Sequence, residues 1–127
     1  MRLRRAGFTL VELMVVVVVL AILAALAIPN FKNTKGKAHS AALRSDLRNL
    51  ATAEESFFFS NGHYSTALDS VNFKASPGVI VTVPEASNQG WSASVTHPES
   101  YPFKCAIFTG TAAPLPPATS ESLITCQ

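Results

Sequence analysis

Between Phe8 and Ile28 only Thr9 and Glu12 interrupt the apolar residues, and Leu13 to Ile28 carries no polar side chain. As a helix this run spans roughly 30 Å, about the thickness of a bilayer's hydrocarbon core. Pro29 follows it. A proline inside a helix removes one backbone bond, clashes with the carbonyl four residues back, here Ala25, and bends or ends the helix. Beyond it Leu43, Leu47, Leu50 and Phe57 recur at helical spacing, with Ala42, Ala51 and Ala53 filling in. Arg44, Asp46, Arg48 and Glu55 fall on other faces. This stripe favours a helix that continues past a kink at Pro29 over one that stops there with Asn30 opening a loop. Gly36, between two lysines, is where the helix is expected to bend or locally unwind. Asn61-Gly62 supplies a left-handed C-cap.

After Gly62 the period shortens to that of strands. Val79–Val83 follows a Pro77-Gly78 turn, and Gly90–Thr96 alternates so that Trp91, Ala93 and Val95 share a face. Cys105–Phe108 and Leu123–Cys126 read as third and fourth strands. The connection Thr109–Ser122 holds Pro114, Pro116 and Pro117 and is expected to be exposed and partly extended. Three consecutive aromatics, Phe57, Phe58 and Phe59, cannot share one helical face, so one or two should lie beneath the sheet while another meets a neighbour. The predicted class is therefore α+β: a long N-terminal helix, kinked near Pro29, packed on a small antiparallel sheet of about four strands. Its divisions are a basic leader at 1–7, a membrane-length helix at 8–28, an amphipathic continuation at 29–60 and a sheet region at 61–127. A sheet region that small has a thin core of its own and needs the helix, a disulfide or neighbouring subunits.

Charge changes this picture at one end. The formal net charge is +2, but Arg2, Arg4 and Arg5 all precede Phe8. Cut after Gly7, the chain keeps seven basic residues against eight acidic ones. The basic balance belongs to the leader and gives no argument for a nucleic-acid partner. The two cysteines, Cys105 and Cys126, read as one disulfide in an oxidising compartment if the chain is membrane-attached, or as two thiols if it is cytosolic. An ordinary secretory signal would also show a basic start and a small-residue site, here Ala25-Leu26-Ala27. Against it stand the length of the apolar run and the carboxylate of Glu12 inside it. A carboxylate at a bilayer centre costs about 3 kcal/mol and marks a functional position.

Gly7-Phe8-Thr9-Leu10-Val11-Glu12, behind a basic leader and ahead of an apolar run ending in Pro29, resembles the class III signal of type IV prepilins and pseudopilins. The resemblance is strong from Arg4 to about Phe31 and weaker to Tyr64. It implies cleavage between Gly7 and Phe8 by prepilin peptidase on the cytoplasmic side, N-methylation of Phe8, and a retained helix. That helix sits first in the inner membrane, with the C-terminus periplasmic, and then in a filament of like subunits built on an inner-membrane assembly platform. It also implies that Glu12 pairs with the Phe8 amine of an adjacent subunit. The chemistry suits this, since Gly7 lets an extended backbone enter a protease cleft and cleavage leaves a cation on Phe8. In a low-dielectric bundle such a pair fixes register more than it adds stability.

Other chemistry is missing from the pattern. His39, His63 and His97 have no metal-ligand spacing, and no motif surrounds a nucleophilic serine or cradles a phosphate. Glu85, Glu99 and Glu121 are lone acids in loops, not a calcium cage. No active site, metal or cofactor is expected, and a membrane-tethered enzyme or binding module is the reading of a different class. Within the family, Asn61-Gly62-His63-Tyr64-Ser65-Thr66 resembles a turn of the major type II secretion pseudopilin, with Ser65 where that turn has proline. The absent acidic calcium loop and the C-terminal cysteine pair favour a pilin, which would serve adhesion, motility or DNA uptake.

Overall fold

The computed structural model describes residues 7–127, the side chain of Lys32 excepted, so most of the leader expected at 1–7 lies outside the described residues. One helix, α1, runs Leu10–Asn61, and four strands follow: β1 at Ile80–Ala86, β2 at Gly90–Thr96, β3 at Lys104–Gly110 and β4 at Thr125–Cys126. The chain forms two compact units, one reaching to Asn33 and one of Thr34–Gln127.

In the first unit α1 passes through Pro29 without interruption. Neither termination at Pro29 nor a loop opened by Asn30 is found. Instead the Asn30 side-chain amide donates to the Leu26 carbonyl at 3.4 Å, adding a side-chain bond in the turn where proline withholds its N–H. Every apolar side chain from Phe8 to Phe31 is exposed.

In the second unit α1 buries Gly36, Ser40, Leu43, Leu47, Leu50 and Glu54, a stripe repeating every three or four residues. The leucines at 43, 47 and 50 match the sequence expectation. Gly36 does not unwind the helix. It serves close approach: its carbonyl accepts the Tyr101 N–H at 3.2 Å, and an added Cβ would lie 3.3 Å from Tyr101 Cβ. Asp46 also departs from expectation. It lies off the leucine stripe yet is buried, because its carboxylate accepts both the N–H and the hydroxyl of Ser76 at 2.8 Å. Those two bonds offset the cost of burying the charge. α1 ends at Asn61 with Gly62 at φ 75°, its N–H bonded to Phe58 O at 2.7 Å, the expected left-handed cap.

The strands form an antiparallel sheet in the order β1-β2-β3-β4. One face presents Trp91, Ala93, Val95, Cys105 and Ile107, which pack with Val71 against the three leucines of α1. Full burial of each such leucine contributes about 2 kcal/mol. β1 lies one residue later and runs longer than the alternation suggested, since its ladder passes a bulge at Val83-Pro84, between the Thr82 and Glu85 pairings. β4 is two residues, not four.

The opposite face corrects a second expectation. The connection after β3, expected to be exposed and partly extended, is exposed at most of its positions but does not stand away from the sheet. It folds back, and Ala112 and Ala118 cover Ala106 and Phe108 in a second small cluster. Ser122 N–H donates to Phe108 O at 2.8 Å and holds the return. The alternating strand therefore has apolar company on both faces, and Ser92 is buried along with its neighbours Trp91 and Ala93. The chain end is fastened by a Cys105–Cys126 disulfide, with Cα atoms 4.0 Å apart, so the disulfide reading of the two cysteines holds and that of two free thiols does not.

Candidate functional site

The scissile position expected from the sequence lies just outside the helix. Gly7, Phe8 and Thr9 precede the first helical residue, Leu10. Among the described residues no heavy atom lies within 4 Å of where a Gly7 Cβ would sit, and Phe8 is 81% exposed. A peptide bond there is open to a protease cleft without unwinding any helical turn.

Thr9 and Glu12 then begin α1. The Thr9 N–H and hydroxyl donate to Glu12 Oε2 at 2.9 and 3.0 Å, and the Glu12 N–H donates to Thr9 Oγ1 at 3.2 Å. This is a reciprocal capping box, with Thr9 as the N-cap and Glu12 at the third helical position. It satisfies donors that the first turn would leave open, and the acid also suits the positive end of the helix dipole. Sequence reasoning gave Glu12 a role between subunits and missed this role within one. The signal was present as Thr9-Leu10-Val11-Glu12, the spacing of a capping box directly before an apolar run. Both of these bonds to the carboxylate fall on Oε2, so among the described residues Oε1 is left for another partner.

Behind this start the helix offers a continuous apolar surface: Leu13, Val17, Leu20, Leu23 and Ile28 are each between 57 and 59% exposed. The segment is long and apolar enough to cross a membrane, with none of its most apolar window buried. Its arrangement can insert into lipid or be covered by like helices.

At the far end of α1 the acid pair Glu54-Glu55 clasps the turn that follows. Glu54 is fully buried, with Oε2 accepting the Ser65 N–H at 3.0 Å and Oε1 left without a partner among the described residues. Burial pushes its carboxyl above the usual range, the Ser65 bond opposes this, and the Glu55 charge adds to the rise. Glu55 accepts the Tyr64 hydroxyl at 2.9 Å. Burial, together with that bond, pushes the phenol up to about 12. Of the three aromatics, Phe57 packs against the core, Phe58 stacks on Tyr64 at 4.6 Å, and Phe59 is 93% exposed. Sequence reasoning did not single out Glu54; its place four residues after Leu50 on the leucine stripe was the available sign.

Two of the three scattered histidines meet in the fold. His39 stacks on His97 with ring centroids 3.9 Å apart and planes 14° from parallel, and His39 Nε2 lies 3.6 Å from Glu99 Oε2. Stacked rings aim their nitrogens side by side rather than at one point. Among the described residues no three His, Cys, Asp or Glu side chains converge as metal ligands would.

Residues 2–28 match the prokaryotic N-terminal methylation motif. The chain is 40% identical over 75 residues to the type IV major pilin protein PilA of Myxococcus xanthus, covering 59% of this chain and 34% of that one. It is 40% identical over 63 residues to the type II secretion system core protein G of Escherichia coli, covering 50% and 43%. The corresponding protein of Aeromonas hydrophila is 35% identical over 63 residues, covering 50% and 44%. The chain thus spans between a third and a half of the length of these relatives.

Proposed function

On the premise that this chain is a relative of type IV pilins and type II secretion pseudopilins and carries their N-terminal methylation motif, we propose that it is a structural subunit of a pilus-like filament. One observation carries the reading: the most apolar surface of the chain, on α1 before Pro29, is uncovered in the isolated subunit. Water cannot be its working environment. A bilayer suits it before assembly and a bundle of like helices afterwards.

Prepilin peptidase would cut between Gly7 and Phe8, and methylation of the new Phe8 amine would keep its positive charge. The subunit would wait in the inner membrane as a single span with Thr34–Gln127 in the periplasm, where the Cys105–Cys126 bridge is chemically at home. In the filament the Phe8 amine of one subunit meets Glu12 of the next. The capping box supports this geometry, because it holds the carboxylate at the helix start while Oε1, which has no partner among the described residues, can take a cation. The pair would set the register between neighbours.

Electron microscopy of sheared surface material, with mass spectrometry of the mature N-terminus, tests the proposal. Filaments containing this chain with a methylated Phe8 are expected. An N-terminus at Ile28, or absence of the chain from every filament, overturns it.

The second reading, a type II secretion pseudopilin, is favoured by the turn Asn61–Thr66 and by the relatives that are core protein G. Deleting the gene separates the two. Loss of exported proteins with surface filaments intact selects the pseudopilin, and the reverse selects the pilin.

A further inference from the structure

The connection between β2 and β3, residues 97–103, is fastened to α1 by a stack of two histidines. His39 on α1 and His97 in the connection lie face to face at 3.9 Å, and beside them the Tyr101 N–H donates to the Gly36 carbonyl at 3.2 Å. Within the connection the Glu99 N–H donates to His97 Nδ1 at 3.1 Å. A backbone N–H can only donate, so Nδ1 is the bare nitrogen and the ring is neutral, with its proton on Nε2 against Gly78. The stacked rings can hold one extra proton between them but not two. His39, its side chain 31% exposed, has Nε2 3.6 Å from the Glu99 carboxylate, so it can charge with the connection in place. His97 is 6% exposed. A proton on its Nδ1 would face the Glu99 N–H, donor against donor. It would also set a second cation 3.9 Å from the first where water scarcely reaches. Of the ionisable groups on the surrounding elements, Lys35 stands one turn before His39 on α1, Lys74 four residues before Gly78, Tyr101 in the connection and Lys104 at the start of β3. Asp46, two turns on from His39, is taken up by Ser76, so Glu99 is the acid that meets the pair.

We propose that the pair is an acid-released latch: neutral or singly charged it holds the connection on α1, and a further proton on His97 lifts the connection off. Histidine is the side chain whose charge ordinarily changes between about pH 5 and 8. The open state binds one more proton than the closed one, so acid favours opening by at most about tenfold per pH unit. The connection is built to leave as one piece. Its own bonds, Ser100 N–H to His97 O, Ser100 Oγ to Pro102 O and His97 N–H to Phe103 O, make no use of α1. What opening uncovers is the turn of α1 at Gly36, the least helix-favouring residue of that stretch. With Tyr101 gone from above it, α1 gains a place of local opening near the start of the second unit. The latch makes the stiffness of α1 at Gly36 follow the pH of its surroundings, and it does not depend on the filament reading.

Nuclear magnetic resonance of the full chain in detergent, between about pH 7.5 and about pH 5.5, tests the latch. It reads the protonation of each imidazole and the exchange protection of the Glu99 and Tyr101 amides, corrected for the intrinsic pH dependence of exchange. At the upper pH His97 is expected in its neutral Nε2–H form. On acidification, protection at both amides should fall about tenfold or more, while that of β2 and β3 changes less than about twofold. His97→Asn keeps an oxygen to accept the Glu99 N–H, as in an Asx turn, but cannot charge, so both amides should change less than about twofold over the same range. His39→Phe keeps a ring against His97 and should retain the pH dependence. Protection that ignores pH in the wild type, or follows it equally in His97→Asn, overturns the proposal. So does loss of the pH dependence in His39→Phe, which would make His39 the sensor. If His97→Asn does not fold, the wild-type chain decides: a charged His97 with the Tyr101 amide still protected overturns the latch.

Discussion

Replacing Cys105 and Cys126 by alanine, or reducing their bond, is expected to cost the second unit about 3 kcal/mol. The bridge joins residues 21 apart. Closing a loop of that length removes about 11 cal/mol/K of unfolded-state entropy, or about 3 kcal/mol at 25 °C. The structure says where the loss should fall first. β4 has two residues, and the return segment before it holds Ala112 and Ala118 over Ala106 and Phe108. Besides the bridge, that segment is kept down by the bonds of Ser122 and Gln127 and by two side-chain bonds, Glu121 accepting the Gly110 N–H and Glu85 accepting the Ala113 N–H. Urea unfolding of the full chain in detergent, followed by fluorescence of the single, buried Trp91, reads the global cost. At an m-value of about 1–3 kcal/mol/M the midpoint should fall by about 1–3 M. Hydrogen exchange reads the local one: the amides of Ser122 and Gln127 should lose protection before those of β2. A stability loss under about 1 kcal/mol, or unchanged protection at both amides, would refute the reasoning.

At the N-terminus, Glu12→Gln keeps a side chain able to complete the capping box but removes the charge, so filament yield should collapse while leader cleavage continues. Thr9→Ala removes the cap, costs about 1 kcal/mol of local helix stability and should leave assembly near wild type; equal defects in the two variants would show that capping, not pairing, is what assembly needs. In the second unit, burial raises the Glu54 carboxyl, so the unfolded chain gives up this proton at lower pH than the folded one does. The resulting stability is full below the unfolded value of 4.5 and is lost as pH rises through the raised folded value. Glu54→Gln can still accept the Ser65 N–H, so the variant should gain on wild type between pH 4 and pH 7 in urea midpoints. A difference that does not change with pH would contradict this. Leu47→Ala, at a fully buried position facing the sheet, should cost about 2–5 kcal/mol by the same assay.

Much of this architecture could be read from periodicity. The leucines at 43, 47 and 50 recur at a spacing that only a helix uses, and they form the buried stripe of α1. Strand β2 was legible to the residue because Gly90 and the alternation after it mark both its start and its faces. What escaped was set by partners distant in sequence. Asp46 looks like a surface acid until Ser76, thirty residues on, supplies two donors. Gly36 looks like a weak point in a helix until Tyr101 closes on it. Prolines at 114, 116 and 117 suggested an extended loop, and no local rule says that the alanines around them will cover the back of β3. At the candidate site the apolar run points to a membrane and Glu12 to a partner outside the chain, while the spacing of Thr9 and Glu12 also encodes a cap within it.

The bulge at Val83-Pro84 bears on how such a subunit stays soluble with its own kind. β1 is an edge strand, and an unbroken edge is a template on which another sheet can form. Proline there lacks the N–H that a docking strand would need, and the bulge twists the ladder out of line. The other edge, β4, is too short to recruit a partner. For a subunit of the proposed kind, held side by side with its copies in a membrane, open edges would let the sheets find one another as readily as the helices do. Blunting both edges would leave growth to the helices and keep a dense store of subunits from turning into amyloid.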